Sequence, residues 1–222
     1  MAPAQEERIP IKSAADLAYY FQTIQDALAE KETEDSWQRL DRALAKLEAV
    51  AKGGGYKFDE FVYHMKSVAE PLTSALLSER TRLSGTAGDV LASVAPRMAE
   101  RFEPLVNVYV PPLLQICART NKVALKRAEK CLQLVARHCK LPNILPLLRE
   151  ASKDKYAGLR AVSVACMVTL FESGASDRLY RKAAEVEAMI ASMAKDSNPE
   201  VRQNCKKLFQ VYIDLWPERV ER

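Results

Sequence analysis

Apolar residues recur at three- and four-residue spacings through nearly the whole chain, and the pattern breaks at intervals of roughly 35–45 residues. Few architectures accept both features. Leu40, Ala43, Leu44, Leu47 and Val50 form one stripe, and Leu125, Ala128, Leu132, Val135 and Cys139 a second. Val201, Cys205, Leu208, Tyr212 and Leu215 form a third. Strand-type alternation is confined to Val106-Asn107-Val108-Tyr109-Val110, which runs into Pro111-Pro112 and Leu113-Leu114. We read that stretch as the start of a helix disturbed by prolines. The breaks predict five helix pairs, at about 13–52, 56–100, 104–139, 142–173 and 177–217. Their period is that of HEAT-type repeats. The expected fold is therefore an all-α solenoid, one domain over 13–222 with an N-terminal extension at 1–12.

Three first helices carry a proline ahead of leucines: Pro71-Leu72, Pro112-Leu113-Leu114 and Pro146-Leu147-Leu148. A proline at a fixed place would bend each first helix and curve the stack. The connection Lys52-Gly53-Gly54-Gly55 reads as flexible. No linker is long enough to separate two domains.

About half of the 222 residues are hydrophobic, enough for a real core, and the net charge of +4 is spread along the chain. That spread argues against a basic tail and gives little support for nucleic acid, while allowing a local basic strip. The five cysteines, Cys117, Cys131, Cys139, Cys166 and Cys205, include no Cys-x-x-Cys pair and fall on apolar helix positions. Buried free thiols are expected, in a reducing, cytoplasmic compartment. No apolar run is long enough to span a membrane.

The turns inside the pairs repeat a charge. The second holds Glu79-Arg80-Thr81-Arg82, the third Arg119-Thr120-Asn121-Lys122, and the fourth Lys153-Asp154-Lys155-Tyr156 with Arg160 one turn on. In the fifth, Lys195-Asp196-Ser197-Asn198-Pro199-Glu200 precedes Arg202, with Ser197 or Asn198 as the cap and Pro199 at the first helical position. Equivalent turns of a solenoid stack along one edge, so these cations should form a strip suited to an acidic protein surface. Exposed turns are also commonly basic for solvation alone. The first turn differs: Lys31-Glu32-Thr33-Glu34-Asp35-Ser36-Trp37-Gln38-Arg39 is acidic and then aromatic. Ser36 or Asp35 can cap the next helix. Trp37 either folds back on the first repeat or stands out as an interface anchor.

"KETEDSW" followed by Arg39 and an apolar helix resembles the start of a TOG domain of the CLASP family. The stretch Tyr109 to Leu148, with Arg137-His138 and Leu141-Pro142, is similar to the middle repeats of such domains, and "KDSNPEVRQNCKKLF" to a late one. The resemblance implies a paddle of HEAT repeats that binds αβ-tubulin through its intra-repeat turns and regulates microtubule dynamics by stabilisation, rescue and catastrophe suppression. It implies a place on cytoplasmic microtubules and the mitotic spindle. By the same resemblance Trp37, Lys122, Lys153 or Lys155, and Arg202 are tubulin contacts, with Arg80 or Arg82 in the second turn. Arg39, Asn121, Arg160 and Asn198, beside them on the same turns, are expected tubulin contacts as well. Two departures stand out. Gly85 and Gly88 should weaken the start of the second repeat's second helix. Related domains have six repeats against the five pairs seen here, so a sixth is degenerate or lies beyond Arg222.

Catalysis is not expected. His64 and His138 lack partners at metal-ligand spacing, Gly53-Gly54-Gly55 lacks the lysine and hydroxyl of a phosphate loop, and Glu32, Glu34 and Asp35 sit in a polar turn. No cofactor, nucleic-acid or membrane partner is predicted, and the domain is read as a monomer. The rival reading is a HEAT scaffold that binds another protein in an apolar groove and keeps Trp37 buried.

Overall fold

The computed structural model describes residues 7–220. Its helices fall into the predicted pairs: α1 (Ala14–Leu28) with α2 (Trp37–Lys52), and α3 (Phe61–Ser67) plus α4 (Ala69–Leu76) with α5 (Thr81–Met98). Next come α6 (Val106–Cys117) with α7 (Lys122–Cys139), and α8 (Leu145–Ala151) with α9 (Ala157–Glu172). Last, α10 (Ser176–Leu179) and α11 (Ala183–Met193) pair with α12 (Pro199–Leu215). No strand occurs among the described residues, and Val106–Val110 is helical. The chain divides into two compact units between Pro112 and Leu113, inside α6. There two successive prolines remove two backbone donors.

The prolines act differently from the expectation. Pro71 lies in the first turns of α4 and Pro146 in the first turn of α8, where a missing N–H costs least. Pro71 cannot donate to the carbonyl of Ser67, four residues back, and α3 ends at that residue. So Pro71 and Pro146 sit at the start of a new short helix, whereas Pro111 and Pro112 lie deep within α6 and Pro96 lies in the last turn of α5.

In the first unit, α2 packs along α5 and α1 along α2. Phe21 meets Phe61 edge-on at 5.7 Å, and His64 stacks on Phe21 at 4.6 Å. His64 is thus a packing residue, its pKa lowered by burial against the opposing pull of Glu60. The Gly53 corner is not a loose connection. The Ile9 amide donates to the Ala49 carbonyl at 3.0 Å and the Ile11 amide to that of Gly53 at 3.2 Å. A Cβ at Gly53 would stand 1.7 Å from the Ile9 carbonyl oxygen, so only glycine admits this approach. The described part of the N-terminal segment is therefore docked on the end of α2; its first six residues lie outside the described residues. Gly85 and Gly88 are buried, and α5 runs unbroken through them. Thr86 donates to Asp41 at 2.6 Å, which ties the start of α5 to α2 and offsets the helix-weakening effect of the glycines.

In the second unit, α9 lies between α7 and α12 and also packs on α8. It is apolar nearly all round, as a central helix must be. Trp216 closes the far end, its ring within 5.0–5.4 Å of those of Phe171, Tyr180 and Tyr212.

All five cysteines are free and buried. Burial pushes the thiols of Cys117 and Cys139 up to about 12. The same cause raises Cys166 and Cys205. Since the thiolate is the reactive form, a thiol-reactive dye at mildly alkaline pH should leave the native protein unlabelled and label five sites in denaturant. Rapid stoichiometric labelling of the native protein would contradict this core.

Candidate functional site

The first two turns are built from ion pairs. Thr33 is the residue that closes the first: its Oγ1 accepts the Ser36 amide at 3.1 Å, and Ser36 Oγ accepts the Thr33 amide at 2.8 Å. This is a capping box with serine in the third position. Ser36, fully buried, also donates to the Lys31 carbonyl at 2.7 Å. It therefore makes no cap bond to α2, contrary to the sequence expectation. Trp37 follows as the first residue of α2 and is half-buried, between the two alternatives read from the sequence. Arg39 is exposed and pairs with Glu30 at 2.9 Å.

Arg80 pairs with Glu34 at 2.6 Å and Glu32 at 3.6 Å, while Ser78 donates to Glu32 at 2.8 Å. Arg82 reaches Asp41 at 2.9 Å. Each of the three arginines meets a carboxylate of the same unit. Arg80 stitches the second turn to the first and Arg82 ties it to α2, while Arg39 pairs within the first turn, so this edge lacks the unopposed positive strip expected of it.

The later turns differ. Asn121 caps α7, its Oδ1 accepting the amides of Val123 and Ala124 at 3.0 and 3.2 Å. Asn198 caps α12 in the same way, at 2.9 and 3.2 Å from Glu200 and Val201, which decides between it and Ser197. Lys122 is exposed at the first position of α7. Lys153 pairs with Glu150 at 2.9 Å, and the ammonium of Lys155 lies 5.2 Å from the Tyr156 ring centre.

Turns four and five share a lock that sequence reasoning missed. In both, the Asp two residues before the cap accepts the cap residue's amide: Asp154 from Tyr156 and Asp196 from Asn198, each at 2.8 Å. In both, the Arg six residues after that Asp turns back on the turn carbonyls. Arg160 donates to Asp154 and Lys155 at 2.9 and 3.1 Å, and Arg202 to Asp196 and Ser197 at 2.6 and 2.9 Å. The signal was visible as "KDKYAGLR" and "KDSNPEVR", the same Lys-Asp-x5-Arg spacing. Arg160 also grips Asp196 with Nε and Nη2 at 2.7 and 2.9 Å, and its side chain is only 13% exposed. It holds two turns together, whereas Arg202 remains exposed.

Charge divides with the fold. Residues 1–112 hold 13 basic and 17 acidic residues, and residues 113–222 hold 20 basic and 12 acidic. The chain's modest +4 is thus −4 on one unit and +8 on the other. Among the described residues no single helix is long and apolar enough to cross a membrane, and no group of three or more His, Cys, Asp or Glu could hold a metal.

A family model described as "CLASP N terminal" matches residues 17–222. A CLIP-associated protein of Arabidopsis thaliana is 25% identical over 97% of this chain and 15% of its own length. Protein STU1 of Candida albicans is 24% identical over 96% of this chain and 17% of its own length. The chain thus spans about a sixth of these curated relatives. Among solved structures, the MAST/Orbit N-terminal domain aligns with a TM-score of 0.64 and 13% identity, over 89% of this chain and 85% of that one. A chain from "Structural Basis of Tubulin Recruitment and Assembly by Microtubule Polymerases with Tumor Overexpressed Gene (TOG) Domain Arrays" aligns with a TM-score of 0.63 and 14% identity, over 85% of this chain and 39% of that one. Both likenesses concern the fold.

Proposed function

The chain belongs to the CLASP N-terminal family, and from that premise we propose that it is a TOG domain that binds αβ-tubulin and regulates microtubule dynamics without catalysis. That family is not a known class of enzyme. The observation that carries the reading is the repeated placement of Trp37, Lys122 and Arg202 in the first turn or so of a pair's second helix, where each keeps solvent access. Asn121, Lys153, Lys155, Asn198 and Arg39 complete the contact set. Arg80, Arg82 and Arg160 act through the turns they hold. The whole of 13–222 works as one domain, monomeric on its own, within a longer protein of microtubules and the mitotic spindle. Nucleic acid and membranes are not its partners. Stabilisation, rescue and catastrophe suppression are the activities we assign to that longer protein.

The expected result is weaker co-elution with purified tubulin on size exclusion for Trp37→Ala, Lys122→Glu and Arg202→Glu. Loss of a central anchor costs about 2 kcal/mol or more, and the charge reversals should act more strongly at low salt. Unchanged co-elution of all three would overturn the turn edge as the tubulin site. Parallel pelleting with microtubules separates free-dimer from lattice binding. A scaffold reading would place the partner in the groove of about 630 Å³ beside the first turn, lined by Leu28, Leu40, Val68, Pro71 and Leu83. Trp37 is not buried, as that reading required.

A further inference from the structure

We propose that the outer face of α7 is a second binding surface, for an extended acidic polypeptide segment. Lys122, Lys126, Lys130 and Arg137 are all exposed. At 100° per residue they fall within an arc of about 80° along the helix. Among the described residues none of the four has a carboxylate within ion-pair distance. The acidic residue at the margin, Glu129, is half-buried, accepts from Gln133 at 3.4 Å and feels the charges of Lys126 and of Glu200. It offsets Lys126 in part and leaves Lys122, Lys130 and Arg137 unopposed.

This arrangement works against the helix. Lys122–Lys126 and Lys126–Lys130 are like-charged pairs at i,i+4, which destabilise a helix. Lys122 also sits at the positive end of the α7 dipole, and no acidic residue lies in the first turn. By contrast α1 has Asp16 and α12 has Glu200 in that place. A solvated face could be neutral or mixed in sign at no loss. Local rules broken together mark a surface shaped by a ligand. The strongly basic second unit supplies a matching long-range field.

The spacing selects an extended partner. Residues four apart on a helix rise by about 6 Å, and alternate side chains of an extended chain lie about 6.5–7 Å apart. Carboxylates on alternate residues of such a segment would meet Lys122, Lys126 and Lys130 in succession. The stretch from Lys122 to Arg137 is about 22 Å, the length of about seven extended residues. Lys122 belongs to both surfaces, whereas Lys126, Lys130 and Arg137 lie outside the turns and distinguish this face from the turn edge.

The test is fluorescence anisotropy of a labelled octaglutamate peptide with the 222-residue chain, at low and at physiological salt. Lys126→Glu/Lys130→Glu/Arg137→Glu should weaken binding about tenfold or more. Lys206→Glu/Lys207→Glu, on the exposed face of α12, should leave it near wild type. A Gln triple variant at the same α7 positions, which removes repulsion, should melt no lower than wild type and also bind weakly. Trp37→Ala should retain the peptide, which keeps this result distinct from the tubulin reading. Wild-type affinity in either α7 variant, equal loss in the α12 control, or tighter binding of an equal-length oligonucleotide abolished by the same substitutions would overturn the proposal.

Discussion

Trp216→Ala should lower the melting midpoint by about ten degrees, from a loss of about 3–5 kcal/mol at about 2–4 °C per kcal/mol for a chain of this size. Trp216 is 5% exposed and stands against three other rings at the end of the second unit. Phe171 belongs to the end of α9, Tyr180 to the turn after α10, and Tyr212 to α12. One side chain therefore fastens the last pair onto the helix beneath it. Arg219 reinforces the cluster: its Nε donates to Glu187 at 2.6 Å and its guanidinium lies 5.8 Å from the Tyr180 ring centre. Trp216→Phe keeps an aromatic contact and should recover much of the loss. Circular-dichroism melts of the two variants make the comparison. If the alanine variant melts within two or three degrees of wild type, the cluster is not the closure it appears from its packing.

Trp216 also shows where reading the sequence stopped. Trp37 drew attention because it follows an acidic turn and matches a family pattern, while the last apolar stripe, read by spacing, ends on Leu215, which is exposed; Trp216, four residues after Tyr212, is the buried residue that continues it. The helix pairs were legible because apolar spacing is a local signal, and caps such as Asn121 and Asn198 were legible because their chemistry acts within three residues. Ion pairing between turns was not. Asp41 meets Arg82 and Thr86 from more than forty residues away, and Asp196 meets Arg160 from thirty-six. Glu32 and Glu34 sit in a turn that reads only as polar, although they neutralise Arg80. Counting arginines per turn predicted a uniform basic strip; pairing them in space leaves the free charge mainly with lysines of the second unit. Ser36 misled for a related reason. It stands where a cap is expected, but its hydroxyl is used one turn earlier, by Thr33 and Lys31.

Asp196→Ala should destabilise the protein by about 1.5–3 kcal/mol, the range for hydrogen bonds to charged groups, because the pair is part-buried. Asp196 and Arg160 side chains are 11% and 13% exposed, and two parallel bonds join them. The substitution leaves the guanidinium only its bonds to the Asp154 and Lys155 carbonyls and removes the acceptor of the Asn198 amide, so the cap of α12 loosens with it. Arg160→Lys keeps the charge but loses the planar fork, and should fall between wild type and the alanine variant. The double variant Arg160→Leu/Asp196→Ala should cost less than the sum of the single ones. Acid gives an independent check. Arg160 above all, then the Asn198 amide, hold the Asp196 carboxyl below its ordinary range, against the opposing effect of burial. Its contribution is full above the unfolded carboxylate value of about 3.9 and is lost as pH falls from there through the folded value. The gap between wild type and Asp196→Ala should therefore close on acidification and stay constant from pH 5 to 8. The proposed tubulin reading bears on the same lock. Arg160 holds the turn bearing Lys153 and Lys155 to the turn bearing Arg202, so on the proposed reading a loosened pair should weaken tubulin binding along with stability. A variant of unchanged stability that nonetheless lost tubulin would mean that Arg160 or Asp196 makes the contact itself.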